Sequence, residues 1–144
     1  MAKIKNDDKK TIAKLIKEIL TKIDDIPEID LEYYRDDKKP KIRIQTYPMS
    51  EPKPLFIGGD VFTCTQNFAV LYKIAERTAK FKSPELFLEE INDFLTENLP
   101  NKLGDGKYLQ EFKTISSPVL HSREDNGDFE EYIIEFSLVY RKFN

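Results

Sequence analysis

Apolar residues at Ile12, Leu15, Ile16, Ile19, Leu20 and Ile23 recur every three or four positions, a spacing that predicts an amphipathic helix over residues 12–23. Asp7 and Asp8 favour its start, Lys22 suits its last turn, and Pro27 stops it soon after. The polar residues 1–10 are expected to form a flexible N-terminus. The period then changes to two. Ile29, Leu31 and Tyr33 alternate with Asp30, Glu32 and Tyr34, and Ile42 and Ile44 alternate with Lys41, Arg43 and Gln45. This predicts a hairpin with one apolar face. Pro48, Pro52 and Pro54 lack the N–H of a central strand, so Tyr47 to Pro54 is expected to be irregular linking chain.

Gly58 and Gly59 can take the positive φ of a tight turn, which predicts a second hairpin. Its long arm places Phe62, Cys64, Gln66, Phe68, Val70, Tyr72 and Ile74 on one face. Phe68, Leu71, Tyr72 and Ala75 also suit a helix, but the run of alternation favours a strand. Ser83-Pro84-Glu85 starts a second helix, because serine caps, proline needs no donor at the first position and glutamate meets the dipole. That helix runs to about Asn98 and buries Phe87, Leu88, Ile91, Phe94 and Leu95.

After a turn at Leu103 to Gly106, Tyr108 to Ile115 is expected to be extended, with Glu111 and Lys113 marking a bulge or an edge. Asp125-Asn126-Gly127-Asp128 is a type I′ turn signal. The last strand, Tyr132 to Tyr140, is apolar enough on both faces to lie mid-sheet. The expected fold is therefore a single α+β domain over 1–144: a mixed, mainly antiparallel β-sheet covered by two helices, in the order αββββαββ.

Charge narrows the function. With 23 basic and 26 acidic residues and a net charge of −3, no overall field draws the chain to nucleic acid, so no sequence-specific nucleic acid partner is expected. No long apolar run predicts a membrane span. Cys64, the one cysteine, falls on the apolar face of a strand, where a small buried hydrophobe is the simpler reading than a nucleophile. His121, the one histidine, reads as an exposed loop residue and makes no metal site alone. The run Arg123 to Asp128 lacks the ligand spacing of a calcium loop. No catalytic residue, cofactor or metal is expected, and the chain is expected not to be an enzyme.

From Pro52 onward, several features stand in order: the strand into Gly58-Gly59, the aromatic strand Phe62 to Ile74, the helix Phe87 to Leu95 leading to Leu99-Pro100, and a strand ending near Ser117-Pro118. The acidic turn at Arg123 to Asp128 and the closing strand Tyr132 to Tyr140 complete the series. This series resembles small proteins of phage and prophage tail-gene clusters of low-GC bacteria, often labelled minor capsid proteins, whose fold is similar to that of tail terminators. Phe94 stands where members often have a tryptophan.

The resemblance implies a tail-terminator-like fold and a structural role, capping the tail tube as a homohexameric ring at the head–tail junction of the virion after assembly in the bacterial cytoplasm. The implied partners are other copies of the chain, the tail tube protein and the head–tail connector protein. Phe56, Ile57, Gly58, Gly59 and Asp60 are the candidate contact hairpin. A head completion or connector protein, and a small ligand-binding domain or enzyme, stay open as alternatives.

Overall fold

The computed structural model describes residues 2–34, 41–48, 52–54, 60–75, 83–123 and 129–143, with the backbone alone for 2–10. Among the described residues two helices and seven strands follow one another as α1 (Ala2–Thr21), β1 (Ile29–Leu31), β2 (Lys41–Thr46), β3 (Lys53–Pro54), β4 (Val61–Ala75), α2 (Pro84–Asn98), β5 (Lys102–Gly104), β6 (Lys107–Arg123) and β7 (Phe129–Phe143). The strands form one sheet in the order β1-β2-β4-β7-β6-β5, with β3 joined to β4.

The centre of the sheet is the antiparallel pair β4 and β7, in unbroken register from Val61↔Phe143 to Ala75↔Phe129. One face of that pair is apolar apart from the buried Gln66 and charged residues at its ends, Glu130 among them, and it buries Cys64, Phe68 and Val70 against Ile134, Phe136, Leu138 and Tyr140. Leu88, Ile91 and Leu95 of α2 and Ile12, Ile16, Ile19 and Leu20 of α1 complete the core. The start of α2 is built as its residues predict: the Ser83 side chain accepts from the Leu86 N–H at 3.1 Å, and Pro84 follows it. α1 is longer than its apolar stripe, because the helical backbone continues through the polar residues 2–10.

The expected layout needs correction. The chain is mostly β, its mixed sheet curls into a half-barrel, and the order is αββββαβββ rather than αββββαββ. The two helices touch each other but do not cover the sheet together. α2 packs on the middle strands β4, β7 and β6, whereas α1 touches β1 and β2 at one end of the sheet and β5 at the other. Strands as long as β4, β6 and β7 coil as they twist, and the curl brings the two ends of the sheet within reach of a single helix. The tail-terminator-like arrangement drawn from the resemblance falls with this correction.

The first pair of strands is also not a hairpin. β1 and β2 run parallel, Ile29↔Ile42 to Leu31↔Ile44. The chain turns back after β1 through Glu32, whose φ of 68° lies in the left-handed region. The Glu32 side chain accepts from the Thr46 N–H and hydroxyl at 3.2 and 2.6 Å, which holds that turn against β2. Next to it the Lys41 ammonium meets the Asp30 carboxylate at 3.1 Å, both buried. Alternation shows which face a residue takes but not which way the neighbouring strand runs.

The expected turn at Leu103 to Gly106 contains a further strand, β5, which pairs with the start of β6. Gly106 sits there at φ +68°, its carbonyl accepts from the Phe143 N–H at 2.8 Å, and a Cβ on it would lie 2.8 Å from the Phe143 carbonyl oxygen. Gly106→Ala is expected to cost about 1–3 kcal/mol and to loosen the end of β7. Denaturant unfolding together with amide exchange at Phe143 measures both effects.

β6 runs well past the expected Ile115, and its ladder to β7 shifts register at four places, one of them between Ser116 and Val119 across Pro118. Proline has no N–H for the ladder, so the slip there has a direct cause. Of the bulge or edge expected at Glu111 and Lys113, the ladder shows a register shift between Leu109 and Glu111.

Candidate functional site

The face of the sheet turned away from α2 carries the alternate residues Arg43 of β2, Leu71 and Lys73 of β4, and Glu131 and Ile133 of β7, aligned in rows by the register. At one end of this face is a cleft of about 320 Å³ whose walls include Tyr34, Arg43, Lys73, Phe129, Glu130 and Glu131. Arg43 donates through Nε and Nη2 to the two oxygens of Glu131 at 3.0 and 3.1 Å, a bidentate pair. Its Nη1 donates to the Glu32 carbonyl at 3.1 Å and to Gln45 Oε1 at 3.0 Å. The Tyr34 hydroxyl donates to Glu131 Oε2 at 2.6 Å. The Lys73 ammonium lies 5.4 Å from the centre of the Tyr34 ring and 4.8 Å from that of Phe129, a cation held between two aromatic faces.

These contacts fix the protonation states. Burial pushes the Glu131 carboxyl up, but the hydrogen bonds from Arg43 and Tyr34 and the guanidinium charge outweigh it and hold the group below its ordinary value. Burial, then the bond to Glu131, pushes the Tyr34 phenol far above its ordinary value. At neutral pH the cluster is a carboxylate locked by a guanidinium and a phenol. Its chemistry is that of a strut between β2, β7 and the chain at Tyr34.

At the other side of the face lies the outer side of β6. Beyond Leu109 it pairs with no strand among the described residues. It exposes about half of Ile115, Val119 and Leu120. Val119 stands opposite Ile133, so it extends the small apolar group of Ala69, Leu71, Ile133 and Tyr47 out to the sheet edge. An edge with open N–H and C=O groups and apolar side chains can accept another chain, and the bulges and Pro118 limit which one.

Of the candidate contact hairpin, Phe56, Ile57, Gly58 and Gly59 lie outside the described residues, while Asp60 is exposed at the entrance to β4. The pairing of Lys53 and Pro54 with Thr63 and Phe62 shows that the chain does reverse there, and Pro54 sits in the short edge strand β3, a place open to proline. Cys64 is buried among apolar neighbours as expected.

His121 is exposed but lies on β6 rather than in a loop, its Nε2 4.0 Å from Glu131. The turn at Asp125 to Asp128 lies outside the described residues, between Arg123 and Glu130, which face each other. Among the described residues no three His, Cys, Asp or Glu side chains gather to hold a metal, and no helix is long and apolar enough to cross a membrane.

Sequence reasoning missed the pairing of Arg43 with Glu131, which are 88 positions apart. The available signal was Arg43 itself, a rigid donor fork in the middle of a strand. No protein-family model matches the chain, and no curated protein does.

Proposed function

We propose that this chain is a structural subunit of a phage-type tail, a tail terminator that closes into a homohexameric ring, caps the tail tube and joins it to the head connector. The order of residues from Pro52 to Tyr140 suggests the assembly, and the observation that carries the subunit role is the outer side of β6. A long strand whose edge is open among the described residues, with Ile115, Val119 and Leu120 half-exposed, is a surface for a neighbouring copy. A ring needs such a surface to meet a different one on the next copy, so that the contact repeats by rotation and closes. The cluster around Glu131 serves this role by keeping the sheet rigid.

Light scattering on a size-exclusion column at several protein concentrations, followed by negative-stain imaging, tests the reading. It expects a multimer with a central hole, formed by the chain alone or on purified tail tube. Val119→Arg places a charge in the contact and is expected to weaken assembly at least ~10-fold, with circular dichroism unchanged. A chain that stays monomeric at every concentration and forms no ring on tail tube sinks the proposal. Capture by purified connector but not by tube replaces it with the head completion alternative.

A further inference from the structure

A row of residues in direct register crosses five strands at the end of the sheet remote from the Glu131 cluster. Lys53 of β3 stands opposite Thr63 of β4, Thr63 opposite Arg141 of β7, Arg141 opposite Tyr108 of β6, and Tyr108 opposite Lys102 of β5. Directly opposed residues share a face. The chain neighbours Cys64, Tyr140, Leu109 and Leu103 belong to the core, so the row itself points away from the helices. Lys53, Arg141 and Lys102 are exposed. They occupy every second strand of the row, which at ~4.8 Å per strand spaces the cations about 10 Å apart.

Two aromatic rings complete the row. Tyr108 and Phe143 are both exposed and meet edge to face, with ring centres 5.5 Å apart. With Gly106, Gln110 and Arg141 they wall a shallow cleft of about 450 Å³. The acids closest along the chain are Glu51, two residues before Lys53, Asp60 and Asp105, which flank strands, and Glu111, which already faces Lys113 at 3.7 Å.

From this row we infer a binding site for single-stranded nucleic acid, without sequence preference. Cations on a line meet successive phosphates, and an exposed ring pair beside them offers a face to a base, which stacks whatever its identity. An acidic peptide would use the cations but leave both rings without a planar partner. The net charge of −3 argues against nucleic acid only as a field around the whole molecule. Register gathers three cations from distant parts of the chain into one local positive line. The inference is independent of ring formation, because the row and its two rings lie outside Ile115 to Leu120, the apolar stretch of β6 that carries the subunit contact.

Fluorescence anisotropy with a labelled oligothymidine of about twelve nucleotides, a length within the site size of known single-strand platforms, tests it. Binding is expected at low salt. Three phosphate contacts predict that the logarithm of affinity falls with the logarithm of salt at a slope of about −2. The triple variant K53A/K102A/R141A is expected to weaken binding at least ~10-fold and to flatten that slope. Tyr108→Ala is expected to weaken it about 10-fold with the slope unchanged, and Tyr108→Phe to restore it, since only the ring is needed.

Circular dichroism of each variant separates these effects from unfolding. No change in anisotropy at low salt overturns the inference. So does equal binding of duplex with Tyr108→Ala silent, which is charge attraction alone, and so does polyglutamate competing as strongly as oligothymidine, which points to an acidic peptide.

Discussion

Phe136→Ala is expected to lower the stability of the chain by about 3–5 kcal/mol, the range for deleting a large buried aromatic side chain from a core that cannot collapse around the gap. Phe136 is fully buried on β7. Its ring lies 5.2 Å from Phe68 on β4 and 5.2 Å from Phe112 on β6, both near-parallel to it. The three rings therefore join the three long strands through one stack, and the middle ring is the one removed. Phe136→Leu keeps most of the volume and is expected to cost about half as much. The stack lies beneath Leu88, Ile91 and Leu95 of α2, so the helix cannot sink into the space without leaving the rest of the sheet. Urea unfolding followed by circular dichroism measures the difference. A loss below about 1 kcal/mol would show that the strands repack, and that the stack is not what holds them.

The strand faces that carry two of these rings were legible in the sequence, though the stack itself was not. Phe68 and Phe136 both fall on the apolar side of clear alternations, and a strand apolar on both faces belongs in the middle of a sheet, which is where β7 lies. The α2 start was legible for a similar reason: Ser83, Pro84 and Glu85 act within one turn, and their chemistry needs no distant partner. What could not be read depends on partners far along the chain. The parallel pairing of β1 with β2 rests on Glu32 reaching Thr46 and on Lys41 reaching Asp30, and alternation alone is equally consistent with a hairpin.

β5 is only three residues long, too short to show a period, and it was hidden in a turn. The curl that brings both ends of the sheet to α1 comes from the accumulated twist of long strands, a property of no single residue. The two candidate surfaces differ in the same way. The exposed edge was partly visible in the broken alternation at Glu111 and Lys113, whereas Lys53, Lys102 and Arg141 form a line only once five strands are in register.

Glu131→Ala is expected to cost about 3 kcal/mol, because it leaves the Arg43 guanidinium and the Tyr34 hydroxyl facing each other without the carboxylate that both donate to. Arg43 and Glu131 keep only 17% and 10% of their side-chain surface in contact with water, so solvent replaces little of what is lost. Glu131→Gln retains an acceptor but loses the charge, and is expected to fall between wild type and Glu131→Ala. The double replacement R43M/E131M is expected to cost less than the sum of the two single losses, since no charge is then left buried.

The pH dependence follows from the direction of the shift. Glu131 is held below its ordinary value of 4.5 in the folded chain, so the folded state binds its proton less readily than the unfolded state. Its contribution is present in full above that ordinary value and is lost as pH falls through the lowered folded value. Unfolding measured from neutral pH downward is expected to show wild type losing stability faster than Glu131→Gln below about pH 4.5. Parallel acid limbs for the two proteins would mean that folding leaves the Glu131 proton equilibrium unshifted, and the strut between β2 and β7 would then owe nothing to the ionised charge.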